Sequence, residues 1–144
     1  EELIITNSDQ YTPWNSKPFV DLIKNKDLSA VVTTYEHRKF KINETTPYSH
    51  VKLNNKNLAV EFAEKVAISQ NSLNGIYYWK KASYFLESAN KLLYTKTYGE
   101  KWLSLSFNYM INDGHKISIY EMKKNEFFSL GTPEDLDKNI VNIS

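Results

Sequence analysis

Phe127-Phe128-Ser129-Leu130-Gly131-Thr132-Pro133-Glu134-Asp135-Leu136 reads as a short strand that runs through one glycine into the start of a helix. Thr132 is a favoured N-cap, Pro133 takes the first helical position, where its missing N–H is no loss, and Asp135 completes a capping-box pattern three residues on. Working outward, strand and helix signals alternate along the chain. Leu3-Ile4-Ile5-Thr6 is apolar and β-branched and stops at the turn-prone Asn7-Ser8-Asp9, which predicts a buried central strand with polar side chains at its end. Asn15 or Ser16 caps a helix with Pro18 near its first turn and Phe19, Leu22 and Ile23 on one face, ending near Asp27. Residues 28–35 predict a second buried strand, and the polar stretch 36–47, with His37 and Arg38, a surface loop.

Val51 and Leu53 alternate with Lys52, Asn54-Asn55-Lys56-Asn57 makes a turn, and Leu58, Val60 and Phe62 alternate with Ala59 and Glu61, a β-hairpin signature. Residues 72–79 form another strand in which Gly75 marks either a bulge or a close approach by another group. Residues 82–93 keep helical spacing, as do Leu103, Phe107, Met110 and Ile111, with Asp113-Gly114 closing the second helix before a strand at Ile117 and Ile119. The expectation is an α/β domain with a mixed sheet.

With 144 residues and 41% hydrophobic side chains, the chain is expected to form one domain over 1–144. Its 18 basic and 17 acidic residues are scattered and nearly cancel, so no single-sign field exists to attract nucleic acid or an anionic membrane. Arg38 is the only arginine, which further weakens the case for nucleic acid. Without cysteine there is no disulfide, thiolate metal site or cysteine nucleophile. No apolar run reaches membrane-spanning length and no leader opens the chain, so a cytoplasmic location is the expectation. The Glu1-Glu2 start, without methionine, fits part of a longer protein.

Ligands of α/β sheets collect at strand carboxyl ends, which makes Asn7-Ser8-Asp9-Gln10 the first place to look. Asp9 is either a hard oxygen ligand for Mg²⁺ or an Asx-turn residue, and Ser8 and Gln10 beside it are candidate substrate contacts. Glu64-Lys65 offers a carboxylate for sugar hydroxyls and an ammonium for a phosphate, or is simply a solvated charge pair. Gly75 lets a sugar ring lie against backbone, or is an ordinary bulge. His37, His50 and His115 have no ligand spacing, so zinc is not expected and a surface role suits each. No serine sits in a nucleophile elbow. Trp14, Trp79, Trp102 and the ten tyrosines offer faces on which bases or sugars can stack, but at these helical and alternating positions most of them suit a core.

The order and spacing of Leu3-Ile4-Ile5-Thr6-Asn7-Ser8-Asp9-Gln10, Val60-Glu61-Phe62-Ala63-Glu64-Lys65, Asn74-Gly75-Ile76-Tyr77-Tyr78-Trp79-Lys80 and residues 130–136 resemble the sugar-phosphate nucleotidyltransferase family. Its members include glucose-1-phosphate thymidylyltransferases and mannose-1-phosphate guanylyltransferases, which make surface-polysaccharide precursors. The resemblance implies a Rossmann-like fold with a mixed, mostly parallel sheet and a β-hairpin insertion. It also implies that Asp9 binds Mg²⁺, that Glu64 and Lys65 contact sugar and phosphate, and that Gly75 lies against the sugar. The implied substrates are a sugar 1-phosphate and a nucleoside triphosphate, with Asp9 and Lys65 carrying the catalysis.

Two departures accompany the resemblance. The family's Gly-rich triphosphate loop has no counterpart here, and Ser129 stands where many members carry a second metal-binding aspartate. The chain is therefore expected to be the carboxy-terminal, acceptor portion of a longer enzyme, inactive alone. The alternative is a non-catalytic sugar-phosphate-binding or assembly module. A sheet lacking its first units would leave an open strand edge, which predicts a homo-oligomer.

Overall fold

The computed structural model describes residues 1–36, 38–96 and 98–143; His37, placed in a surface loop by the sequence, lies outside the described residues. The chain order is β1 (Leu3–Thr6), β2 (Gln10–Tyr11), α1 (Lys17–Ile23), β3 (Ala30–Glu36), β4 (Thr45–Leu53), β5 (Ala59–Val66), β6 (Asn71–Trp79), α2 (Ala82–Tyr94), α3 (Leu103–Asn112), β7 (Ile117–Met122), β8 (Phe128–Ser129) and α4 (Pro133–Asn139), which leads into a short 3-10 turn, Ile140–Asn142. The main sheet runs β5-β4-β6-β3-β7, with β1 beside β6; β2 and β8 form a separate pair.

The sheet is mixed, as expected, but it is not mostly parallel. Only β3 and β7 run parallel; β1–β6, β3–β6, β4–β5 and β4–β6 are antiparallel. The tight hairpin turn makes β4 and β5 antiparallel, and the chain between β3 and β6 is taken up by that hairpin and not by the crossover helix that parallel pairing usually needs. β1 is not the central strand its composition suggested. It hydrogen-bonds β6 along one side, its residues alternate in burial, and Ile4 is 52% exposed.

β6 and β3 occupy the true centre, and helices cover both faces. Ala30, Val32, Leu73 and Trp79 face Phe107 and Met110 of α3, while Val31, Ile76 and Tyr78 face Phe19 of α1. That two-sided burial explains why β3 reads as a continuous apolar and β-branched run. Trp79 has no exposed surface and stacks 5.1 Å from Phe107 at an interplanar angle of 6°, with Phe85 at 4.9 Å. The hairpin turn forms as read: the Asn54 side chain accepts from the N–H groups of Lys56 and Leu58, and Asn57 takes φ +58.

The expected loop 36–47 is shorter than predicted, because β4 already begins at Thr45 and Thr46 is buried. His50 is likewise no surface residue. It is fully buried in β4, with Nδ1 2.8 Å from the Ser69 carbonyl and Nε2 2.9 Å from the Thr46 hydroxyl. Its strand-alternate position, one residue before Val51, did not distinguish inward from outward without the pairing register. His115 is half-buried, bonded to Ser29 and packed 4.4 Å from Tyr84.

Candidate functional site

The turn after β1 is drawn across the sheet by two backbone bonds. The Asn7 N–H donates to the Gly75 carbonyl (2.8 Å), and the Leu130 N–H donates to the Asp9 carbonyl (2.9 Å). Between them Gln10 pairs with Ser129 in the β2–β8 ladder. Three segments remote in sequence thus meet: the 7–10 turn, the middle of β6, and the 129–131 turn. Gly75 is both things the sequence allowed, a register break against β3 and a close approach. Its φ is +95, and a Cβ there would land on the Asn7 amide and within 2.7 Å of Gln10 Oε1. Gly131 is tight for the same reason: a Cβ would sit 2.9 Å from Asp9 Oδ2.

Two adjoining clefts open at this junction and share Asn7, Tyr48 and Leu73. The larger, about 280 Å³, is walled by Gly75, Glu64, Tyr77, Ser49, Ser104 and Trp102. The smaller, about 130 Å³, takes in Asp9, Gln10, Asn74 and Ser129. Of the residues selected from the sequence, Glu64 and Gly75 line the first and Asp9 and Gln10 the second. Ser8 is exposed and lines neither.

Glu64 is not half of a solvated pair with Lys65. Its Oε2 accepts from the hydroxyls of Ser49 in β4 and, at 3.2 Å, of Ser104 in the first turn of α3. One carboxylate oxygen is thereby fixed, and its charge is felt nearby: burial first, then Glu64, push the Tyr77 phenol up to about 12, so it stays a neutral donor. Lys65 turns away from Glu64 because its backbone has φ +59, at the point where the β4–β5 register breaks between Thr45 and Ser49. Its Nζ stands 4.8 Å over the Trp102 ring and 3.8 Å from Glu100 Oε2. Lys65 therefore rims the larger cleft through Trp102 without itself lining it.

Asp9 is exposed, and its carboxylate has no hydrogen-bond or ion-pair partner among the described residues. No group of three or more His, Asp or Glu able to hold a metal occurs among the described residues. A single free carboxylate still fits Mg²⁺, which keeps several waters and takes its other ligands from substrate phosphates. The Ser129 hydroxyl donates to Asp135 Oδ2 at 2.9 Å. The capping box is thus half formed: the Thr132 hydroxyl accepts the Asp135 N–H, but the Asp135 carboxylate is turned to Ser129. Tyr48 has its phenol pushed up by burial, with the Asp135 charge adding to it.

Sequence reading missed Asn7, Ser49, Tyr48, Ser104 and Trp102. Asn7 heads a cluster already singled out, and its place directly after the apolar run Leu3–Thr6 was the available signal. The serines carry no local signal; register and helix packing bring them to Glu64. Trp102 was assigned to the core but is 39% exposed at the rim.

No protein-family model and no curated protein matches the sequence. The fold is similar to that of the nucleoside-diphosphate-sugar pyrophosphorylase from Vibrio cholerae RC9, with a TM-score of 0.80 at 17% identity over 95% of this chain and 55% of that one. It is also similar to a chain assigned as a glucose-1-phosphate thymidylyltransferase from Bacillus anthracis, solved in complex with a sucrose, with a TM-score of 0.74 at 19% identity over 99% and 54% of the two chains. At such identities the likeness is one of fold, and it extends over about half the length of either neighbour. The chain has a sugar-phosphate nucleotidyltransferase-like α/β fold.

Proposed function

We propose that the chain supplies the acceptor side of a nucleotidyltransferase acting on a sugar 1-phosphate and a nucleoside triphosphate. The observation that carries this reading is the meeting of Asn7, Asp9, Gln10 and Gly75 with Glu64 around two adjoining clefts, in a fold shared with enzymes named for that chemistry. In the reaction an oxygen of the sugar phosphate bonds to the α-phosphorus of the triphosphate. The bond from that phosphorus to the bridging oxygen breaks, and pyrophosphate leaves with the electron pair. Such a step needs alignment and charge neutralisation and no covalent participant from the protein.

In this reading the larger cleft takes the sugar. Glu64, held by the two serines, accepts sugar hydroxyls with its remaining oxygen, and Gly75 lets the ring approach the backbone. Asp9 faces the phosphates from the smaller cleft and would hold Mg²⁺, which when bound supplies charge neutralisation at the phosphoryl oxygens. Lys65 supplies positive charge from the rim. Among the described residues no helix is long and apolar enough to cross a membrane; a cytoplasmic enzyme without nucleic-acid partners and working as a homo-oligomer completes the proposal.

Two measurements test it. Hexose 1-phosphates with Mg²⁺ at about a hundredfold their dissociation constant are expected to raise the melting temperature of this chain by about 5–10 °C, a gain lost in Glu64→Gln. In the longer enzyme, pyrophosphate release is expected with one sugar 1-phosphate and one triphosphate and should fall at least about a hundredfold in Asp9→Asn. Stabilisation without turnover over a broad substrate panel would instead favour the non-catalytic binding module.

A further inference from the structure

Lys65 is an odd place for an exposed lysine. Its φ of +59 is in the left-handed region, inside a strand, and the distortion carries its ammonium out of the β5 ladder onto the face of Trp102 and toward Glu100. Both partners come from the segment leading into α3, and Trp102 is itself a wall of the larger cleft. The ammonium is thus held at the cleft mouth by an indole face and a carboxylate, neither of which buries it: Lys65 is 54% and Glu100 72% exposed. Contacts of this kind, a cation over an aromatic ring and a solvent-exposed ion pair at 3.8 Å, are individually weak and easily exchanged. A phosphoryl group, with its higher charge and several acceptor oxygens, is a stronger partner for the same ammonium than one exposed carboxylate.

Resting on the reading of Lys65 as the phosphate partner, we propose that Glu100 is a built-in competitor for it. In the empty molecule Lys65 is parked on Trp102 and Glu100, and a phosphorylated ligand entering the cleft draws the ammonium away from Glu100. Glu100 is then a specificity-determining residue that lowers affinity for every phosphorylated ligand by a common factor and leaves unphosphorylated sugars untouched. The strained backbone at Lys65 serves the exchange, because it sets the side chain between the two positions and not along the strand edge.

The test is a double-mutant cycle on this chain. Hexose 1-phosphates and the matching free hexoses are titrated calorimetrically into wild type, Glu100→Gln, Lys65→Gln and the double variant. Glu100→Gln is expected to bind the phosphorylated probes about 1.5- to 5-fold more tightly, with no change for free hexoses and with a gain that shrinks as salt is added. In the Lys65→Gln background the same substitution should have no effect. If Lys65→Gln weakens phosphorylated probes while Glu100→Gln does nothing, the competitor falls and the site reading stands. A gain from Glu100→Gln that persists without Lys65 reduces Glu100 to a general repulsive charge and also overturns the proposal. If Lys65→Gln leaves affinity unchanged, or no probe binds saturably to wild type or Glu100→Gln, the reading of the site itself fails along with it.

Discussion

Lys65 and Gly75 show how single backbone angles carry the site. Among the described residues Asn43, Asn57 and Lys65 are the non-glycines with positive φ; the two asparagines sit in turns, where their side chains tolerate it, and Lys65 does not. Replacing Lys65 therefore separates strain from charge. Lys65→Gly is expected to be more stable than Lys65→Val by about 1–2 kcal/mol in urea unfolding, since a β-branched residue pays the left-handed penalty in full and glycine none. Gly75 is constrained twice, by φ +95 and by the Asn7 amide filling the space of a Cβ. Gly75→Ala should lower stability by about 1–3 kcal/mol and displace Asn7. A chemical-shift map centred on Asn7 and Gln10 would report the displacement, and an unperturbed 7–10 turn would contradict it.

The β4–β5 hairpin and the β6–α3 contact hold these residues in place, and each makes an outcome of its own. His50, inside the hairpin, donates from Nδ1 to the Ser69 carbonyl, and its Nε2 faces the Thr46 hydroxyl. Burial lowers its pKa below the ordinary 6.5, against the opposing pull of the Ser69 bond and the Glu64 charge. The unfolded chain therefore takes up its proton first as pH falls. The stabilisation is complete above about pH 6.5 and is lost progressively as pH drops from there toward the folded value. Melting temperature should accordingly fall between about pH 7.5 and 5.5, with a smaller drop in His50→Gln; equal slopes for the two proteins would remove His50 as the cause. On the other side of the sheet, Trp79 is the largest side chain wholly enclosed and ties β6 to Phe107 and Phe85. Trp79→Ala should cost about 3–5 kcal/mol in equilibrium unfolding, more than any substitution proposed for the clefts.

At the scale of the molecule the open side of β1 stands out. The strand pairs β6 through Leu3–Thr6 and has no hydrogen-bonded neighbour on its other side among the described residues, with Ile4 half exposed there. An unpaired apolar edge templates pairing with another chain. Sedimentation is expected to show concentration-dependent dimers of this 144-residue chain, abolished by Ile4→Lys; a monomer at all concentrations would contradict this. The elements that were legible in the sequence are those with local causes: the Asn54 turn, the Thr132-Pro133 helix start, the Gly75 bulge, the helical stripe through Phe107 and Met110. The candidate site was legible in part, at Asn7-Ser8-Asp9-Gln10, where a polar cluster follows a strand, and at Glu64 and Gly75. The sequence by itself determined which segments become strands and helices and where the chain bends, because propensity, capping and glycine freedom act over a few neighbouring residues. Tertiary structure alone decided that β6 and not β1 is central, that Ser49 and Ser104 fix Glu64, and that Lys65 lies on Trp102. Those outcomes depend on strand register and helix packing between residues tens of positions apart, which no local pattern encodes.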